Sequence, residues 1–178
     1  MVEPIKSDFA FVSLGSNLPF SDQDPIEILS KAFAQLEQLS EKPLLTSSIY
    51  ITSPVDSPKG TPDFYNAVAG LIPYQKETPH SLLVKLQAIE NTAGRTRSGT
   101  RNEARTLDLD LITFRDEILN TNDLVLPHPR AHQRRFVLEP LMEIAGNKYI
   151  FPNLRKTIAE SLIEISISQE IRKYQKQS

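Results

Sequence analysis

The chain has 178 residues, 39% hydrophobic and 24% charged, the composition of an ordinary folded domain rather than a disordered one. A formal net charge of -2 argues against a general nucleic-acid binder, which would carry a basic surface. The lack of cysteine excludes a disulfide framework, a thiolate metal site and a cysteine nucleophile.

The apolar run 9–14 reads as a buried strand stopped by Gly15-Ser16-Asn17. It is too short for a signal-peptide core or a membrane span, so a cytoplasmic protein is expected. Asp24 and Pro25 make an N-cap and first-turn pair, and Ile26, Leu29, Phe33, Leu36 and Leu39 follow at helical spacing until Pro43. Residues 44–51 predict a second strand. The proline-rich stretch 52–63 predicts a loop of about a dozen residues, long enough for a functional role. Residues 66–72 predict a third strand, ended by Pro73. Thr78-Pro79 opens a second helix with Leu82, Leu83, Leu86 and Ile89 on one face and Gly94 as its stop. Residues 95–105 are polar and without period, which predicts a mobile loop, and 107–114 is the fourth strand. A hairpin near 117–124, a third helix over 134–145 and a charged amphipathic helix over 157–175 complete the expectation.

The order strand, helix, strand, strand, helix, strand is the ferredoxin-like βαββαβ pattern of an α+β fold. It predicts an antiparallel sheet with two helices on one face, plus a C-terminal helical extension. One domain is expected, with a core of about residues 8–152 and an extension over 153–178.

Asp108 and Asp110 stand two apart in Arg105-Thr106-Leu107-Asp108-Leu109-Asp110-Leu111, so on a strand both carboxylates share the face opposite the leucines. Two such acids repel unless a proton, an arginine or a metal lies between them. Arg95, Arg97, Arg101 and Arg105 crowd the segment just before, and arginine's planar fork suits phosphate. The pattern fits metal-dependent phosphoryl chemistry, and it equally fits a half-buried strand whose acids pair with those arginines. Asp63-Phe64-Tyr65-Asn66 places an aromatic two residues before an amide, a pair able to stack on and read a flat heterocycle. Gln87 and Glu90 are assigned to the second helix, off its leucine face. His128 is fixed between Pro127 and Pro129, and His132 at its spacing makes no metal site with it. No phosphate-binding P-loop, dinucleotide fingerprint or nucleophile elbow is present. Another metal-dependent nucleotidyl- or glycosyltransferase remains open on the acids alone, as does a ferredoxin-like binding module without catalysis.

In order and spacing, Val12-Ser13-Leu14-Gly15-Ser16-Asn17-Leu18, Pro62-Asp63-Phe64-Tyr65-Asn66, Gly94-Arg95-Thr96-Arg97, Arg105-Thr106-Leu107-Asp108-Leu109-Asp110, Pro127-His128-Pro129-Arg130 and Arg134-Arg135-Phe136 resemble the 6-hydroxymethyl-7,8-dihydropterin pyrophosphokinases of folate biosynthesis. The resemblance implies transfer of the β,γ-diphosphate of ATP, the co-substrate, to the pterin hydroxymethyl group, giving AMP and the pterin diphosphate. It implies Asp108 and Asp110 as ligands of two Mg2+ ions and Arg95 and Arg105 as catalytic phosphate clamps. Gln87, Glu90, Arg97, His128 and Arg134 would surround the nucleotide. Phe64 and Phe136 would sandwich the pterin, with Asn66 and the backbone near Thr52 reading its polar edge. The partners implied are ATP and the pterin, with no nucleic acid or membrane, for a monomer. Two segments depart from the family pattern: Asn102-Glu103-Ala104 replaces a tryptophan-glycine-proline, and the loop 53–61 lacks an early glycine.

Overall fold

Apolar residues on both faces of one strand call for partners on both edges and cover on both sides. Strand β1 (Ala10–Ser16) finds its partners in β4 (Phe64–Leu71) and β5 (Asp108–Phe114), each antiparallel to it. The computed structural model describes residues 8–54, 60–94, 105–165 and 170–175. Beyond β4 lies β3 (Tyr50–Thr52), and beyond that β8 (Ile171–Lys173), while the short β2 (Leu45–Thr46) also pairs with β4. The order β5-β1-β4-β3 is the expected ferredoxin-like sheet, and β8 extends it by one strand.

Helices α1 (Pro25–Glu37) and α2 (Pro79–Thr92) lie on one face, as expected. Each starts at a reciprocal cap: Asp24 with Glu27, and Thr78 with Ser81. Their Leu29, Leu36, Leu82 and Leu86 pack on Val12, Leu14, Leu109 and Leu111. The other face is covered too. There α3 (Arg135–Ala145) sets Val137, Leu138 and Leu141 over Phe11, Val68 and Ile112, and α4 (Ile158–Glu164) adds Ile158. Phe11 and Val12 are neighbours on opposite faces and both buried, so neither face could be left open. Among the described residues no helix is long and apolar enough to cross a membrane.

The expected second strand over 44–51 is broken in two. Ser47 causes the break: its backbone N–H donates to Val68 O at 3.0 Å, while its hydroxyl, in place of a carbonyl, accepts from Val68 N at 2.9 Å. The third strand begins earlier than expected, at Phe64, and the hairpin is formed by β6 (Leu119–Asn120) and β7 (Val125–Leu126). The C-terminal helix expected over 157–175 is corrected: α4 is seven residues long, and residues 171–173 form a strand. Strand β3 offers an edge with unpaired backbone groups, and residues 171–173 pair with it antiparallel. The loop expected over 95–105 lies outside the described residues except for Arg105.

Candidate active site

The face of the sheet under α3 carries the site at one end. Cross-strand partners share a face, so the register places Asp108, Gly15, Asn66 and Tyr50 in one line across four strands. The next line holds Asp110, Ser13 and Val68. The period-two expectation for the two aspartates therefore holds. Leu109 and Leu111 are buried on the opposite face. Gly15 leaves the floor between amide and carboxylate bare: a Cβ there would stand 3.5 Å from Asn66 Oδ1 and 4.0 Å from Asp108 Cβ.

Both acids meet arginines. Arg105 forms an ion pair with Asp108, and Arg134 Nη1 lies 3.6 Å from Asp110 Oδ2. Burial and the Asp108 charge raise the Asp110 carboxyl above its ordinary range, against the pull of His128, Arg134 and Arg105. Burial lowers the His128 imidazole, Asp110 opposes that, and Arg134 and Arg130 add to the lowering. His128 Nδ1 accepts from Arg130 N at 3.2 Å, so the neutral ring keeps its proton on Nε2 and presents a donor without a charge.

Strand β5 is an edge of the sheet, and two of its backbone groups are taken by expected site residues. His128 N donates to Ile112 O at 2.8 Å, while Glu90 Oε1 accepts from Leu109 N at 2.8 Å. Glu90 is thus buried at 2% exposure and ties α2 to the residue between the two aspartates, rather than lying on the helix surface. Gln87 is half-buried. Arg105 is gripped from β1: Asn17 Oδ1 accepts from Arg105 N at 2.7 Å, and Asn17 N and Leu18 N donate to Arg105 O at 3.0 and 3.1 Å. Ser16 Oγ donates to Thr106 O. The strand expected to stop at Gly15 runs on through Ser16, and Ser16, Asn17 and Leu18 at its end anchor Arg105 and Thr106. The sequence signal for this is the small and polar run closing a buried strand.

On the aromatic side, Phe64 is half-buried at the start of β4, and Asn66 Nδ2 donates to Thr52 Oγ1 at 2.9 Å. Phe136 is half-buried in the first turn of α3, with the Arg134 guanidinium 5.5 Å over its ring. Arg105, Asp108, Asp110, His128 and Arg134 are brought together, and Thr52, Phe64 and Asn66 adjoin them across Gly15. Arg95 and Arg97 lie outside the described residues.

Fold and site define a class: a ferredoxin-like α+β protein with paired carboxylates, arginines and a histidine at one end of its sheet, beside half-buried aromatics. A family model described as 7,8-dihydro-6-hydroxymethylpterin-pyrophosphokinase matches residues 11–146. The chain is 40% identical over 144 residues to the 2-amino-4-hydroxy-6-hydroxymethyldihydropteridine pyrophosphokinase of Haemophilus influenzae, spanning 81% of this chain and 85% of that one. To the protein of the same name from Bacillus subtilis it is 38% identical over 139 residues, spanning 78% of each chain. A Plasmodium falciparum HPPK-DHPS triple mutant crystallised with pteroate shares the fold at a TM-score of 0.64 and 16% identity. The match spans 88% of this chain but 43% of that one. The chain belongs to the 7,8-dihydro-6-hydroxymethylpterin-pyrophosphokinase family.

Proposed function

We propose that this chain transfers the diphosphate of ATP to the hydroxymethyl group of 6-hydroxymethyl-7,8-dihydropterin, a step of folate biosynthesis, using the site just described. The observation that carries the residue roles is the line Asp108, Gly15, Asn66: a heterocycle held at Asn66 reaches the carboxylates over a floor with no side chain. The pterin hydroxyl oxygen bonds to the β-phosphorus and gives up its proton to solvent, while the bond from that phosphorus to the α–β bridging oxygen breaks and AMP leaves with that oxygen and the bond's electron pair.

Phe64 and Phe136 hold the faces of the pterin ring, and Asn66 and Thr52 its polar edge. Arg105 and Arg134 exchange their aspartates for phosphate oxygens, with Arg95 and Arg97 as further clamps. His128 donates from Nε2 to a phosphate oxygen, and Gln87 faces the nucleotide. Glu90, assigned by resemblance to the nucleotide, also fixes β5, its Oε1 accepting from Leu109 N.

Asp108 and Asp110 fit a divalent cation. The donors are oxygens, and Asp110 is raised by burial and by the neighbouring charge, a repulsion that a cation relieves. Among the described residues no group of three metal-binding side chains occurs, which suits magnesium, an ion that keeps waters and takes phosphate oxygens. When bound, magnesium neutralises the triphosphate charge and acidifies the attacking hydroxyl.

The test is AMP release from ATP, expected only with magnesium and the hydroxymethyl pterin both present. Asp108→Ala or Asp110→Ala should lower turnover by at least about a hundredfold while leaving the circular dichroism spectrum unchanged. AMP release without the pterin, or full activity in either variant, would overturn the reading.

A further inference from the structure

The family match ends at residue 146, yet the sheet gains its last strand at 171–173, directly beside the strand that carries Thr52. In that pairing Ile171 lies opposite Thr52, Arg172 opposite Ile51 and Lys173 opposite Tyr50. Opposed residues share a face, and Thr52 is in turn opposite Phe64. Phe64, Thr52 and Ile171 therefore form one line, on the face where Asn66 donates to Thr52 Oγ1. Lys173 verifies the facing independently: its ammonium lies 5.5 Å over the Tyr50 ring and 3.5 Å from Glu143 of α3. Tyr174 N donates to Ile49 O at 2.8 Å and Tyr174 meets Tyr65 edge-on, so the segment is held beyond its three strand residues.

Resting on the functional reading above, we propose that Ile171 is a specificity-determining residue, forming the outer apolar wall of the pterin pocket. Without β8 the sheet would end at Thr52, and the Asn66–Thr52 hydrogen bond would stand at an open, wet edge. Ile171 is half-buried, with a branched side chain of the right kind to exclude water there while leaving surface for the rim of a flat heterocycle. ATP, by contrast, is assigned to the β5 side, with β1 and β4 between it and this edge. An effect at Ile171 should thus fall on one substrate and not on the other.

The experiment measures steady-state AMP release by the full chain as each substrate is varied, in Ile171→Ala, Ile171→Phe and Arg172→Ala. Arg172 lies on the opposite face of the same strand, exposed and 3.9 Å from Asp63, so its variant perturbs β8 and that surface pair without touching the wall. Ile171→Ala should raise the pterin KM roughly fivefold, with the ATP KM and kcat unchanged, from loss of about one buried methylene equivalent of contact by a half-buried side chain. Ile171→Phe should also shift the pterin KM alone, which keeps the test valid if the alanine variant folds poorly. Arg172→Ala should match the unsubstituted chain. An unmoved pterin KM in both Ile171 variants, or parallel shifts in both substrates' KM, would overturn the wall while leaving the reaction standing. No pterin-dependent AMP release from the unsubstituted chain would overturn the reaction and the wall with it.

Discussion

Glu90 has almost no surface in contact with water, so its value lies in what it holds. Its Oε1 accepts the Leu109 N–H, and Leu109 separates the two site aspartates. Glu90→Ala would leave that donor buried without its acceptor, at a cost of about 1–3 kcal/mol. Glu90→Gln keeps a carbonyl oxygen at the same place and should recover most of the loss. The expected order in urea unfolding is therefore unsubstituted, then Gln, then Ala, with kcat falling along the same order as β5 loosens. Equal stability in all three would remove the tether from the account. The aspartate pair was legible in the sequence because a strand's period of two is strict and places 108 and 110 together. Glu90 was misplaced for a related reason. Its polarity sets it off the leucine face, yet Leu86 and Glu90 are four apart, which is one helix face.

At the scale of elements, caps and breakers are legible where a local rule governs. Asp24-Pro25, Thr78-Pro79 and Gly94 mark helix ends in the structure as they do in the sequence. Gly94 follows the α2 C-cap with φ +74, and a Cβ there would overlap the Phe20 ring. Gly94→Ala should therefore destabilise by more than the roughly 1–2 kcal/mol of a left-handed alanine, because the Phe20 ring must also move. Thermal melting reads the loss, and a companion Phe20→Ala change should restore the part owed to the clash. A melting temperature unchanged by Gly94→Ala would rule out the strain. What local rules could not give was the break at Ser47 and the strand at 171–173. Ser47 displaces a ladder carbonyl only because Val68 N faces it across the sheet, and β8 forms only because β3 offers an edge. Both depend on contacts distant in sequence, where local propensity is silent.

Across the whole molecule, Glu143 of α3 joins parts that the chain separates widely. It accepts from Ser48 N at 3.2 Å, Ser48 Oγ at 2.7 Å and Tyr50 Oη at 2.9 Å, and pairs with Lys173 Nζ at 3.5 Å. One carboxylate thus fastens the helix bearing Phe136 to the strand bearing Thr52 and to the added strand β8. Burial alone would raise its carboxyl, but Ser48, Tyr50 and Lys173 outweigh burial and hold it below the ordinary glutamate range. Burial and the same carboxylate push the Tyr50 phenol up, so Tyr50 remains a donor throughout. A depressed carboxyl contributes stability above its unfolded value, near about pH 4.3, and loses that contribution as pH falls through the lower folded value. Glu143→Gln should accordingly be less stable than the unsubstituted chain at pH 7, by about 1.5–3 kcal/mol for hydrogen bonds to a charged group. The gap should narrow as pH drops below about 4.3, because only the unsubstituted chain takes up the extra proton there. Urea unfolding from pH 7 to pH 3 measures it, and a gap that stayed constant or widened in acid would show that Glu143 acts by packing and not by its charge.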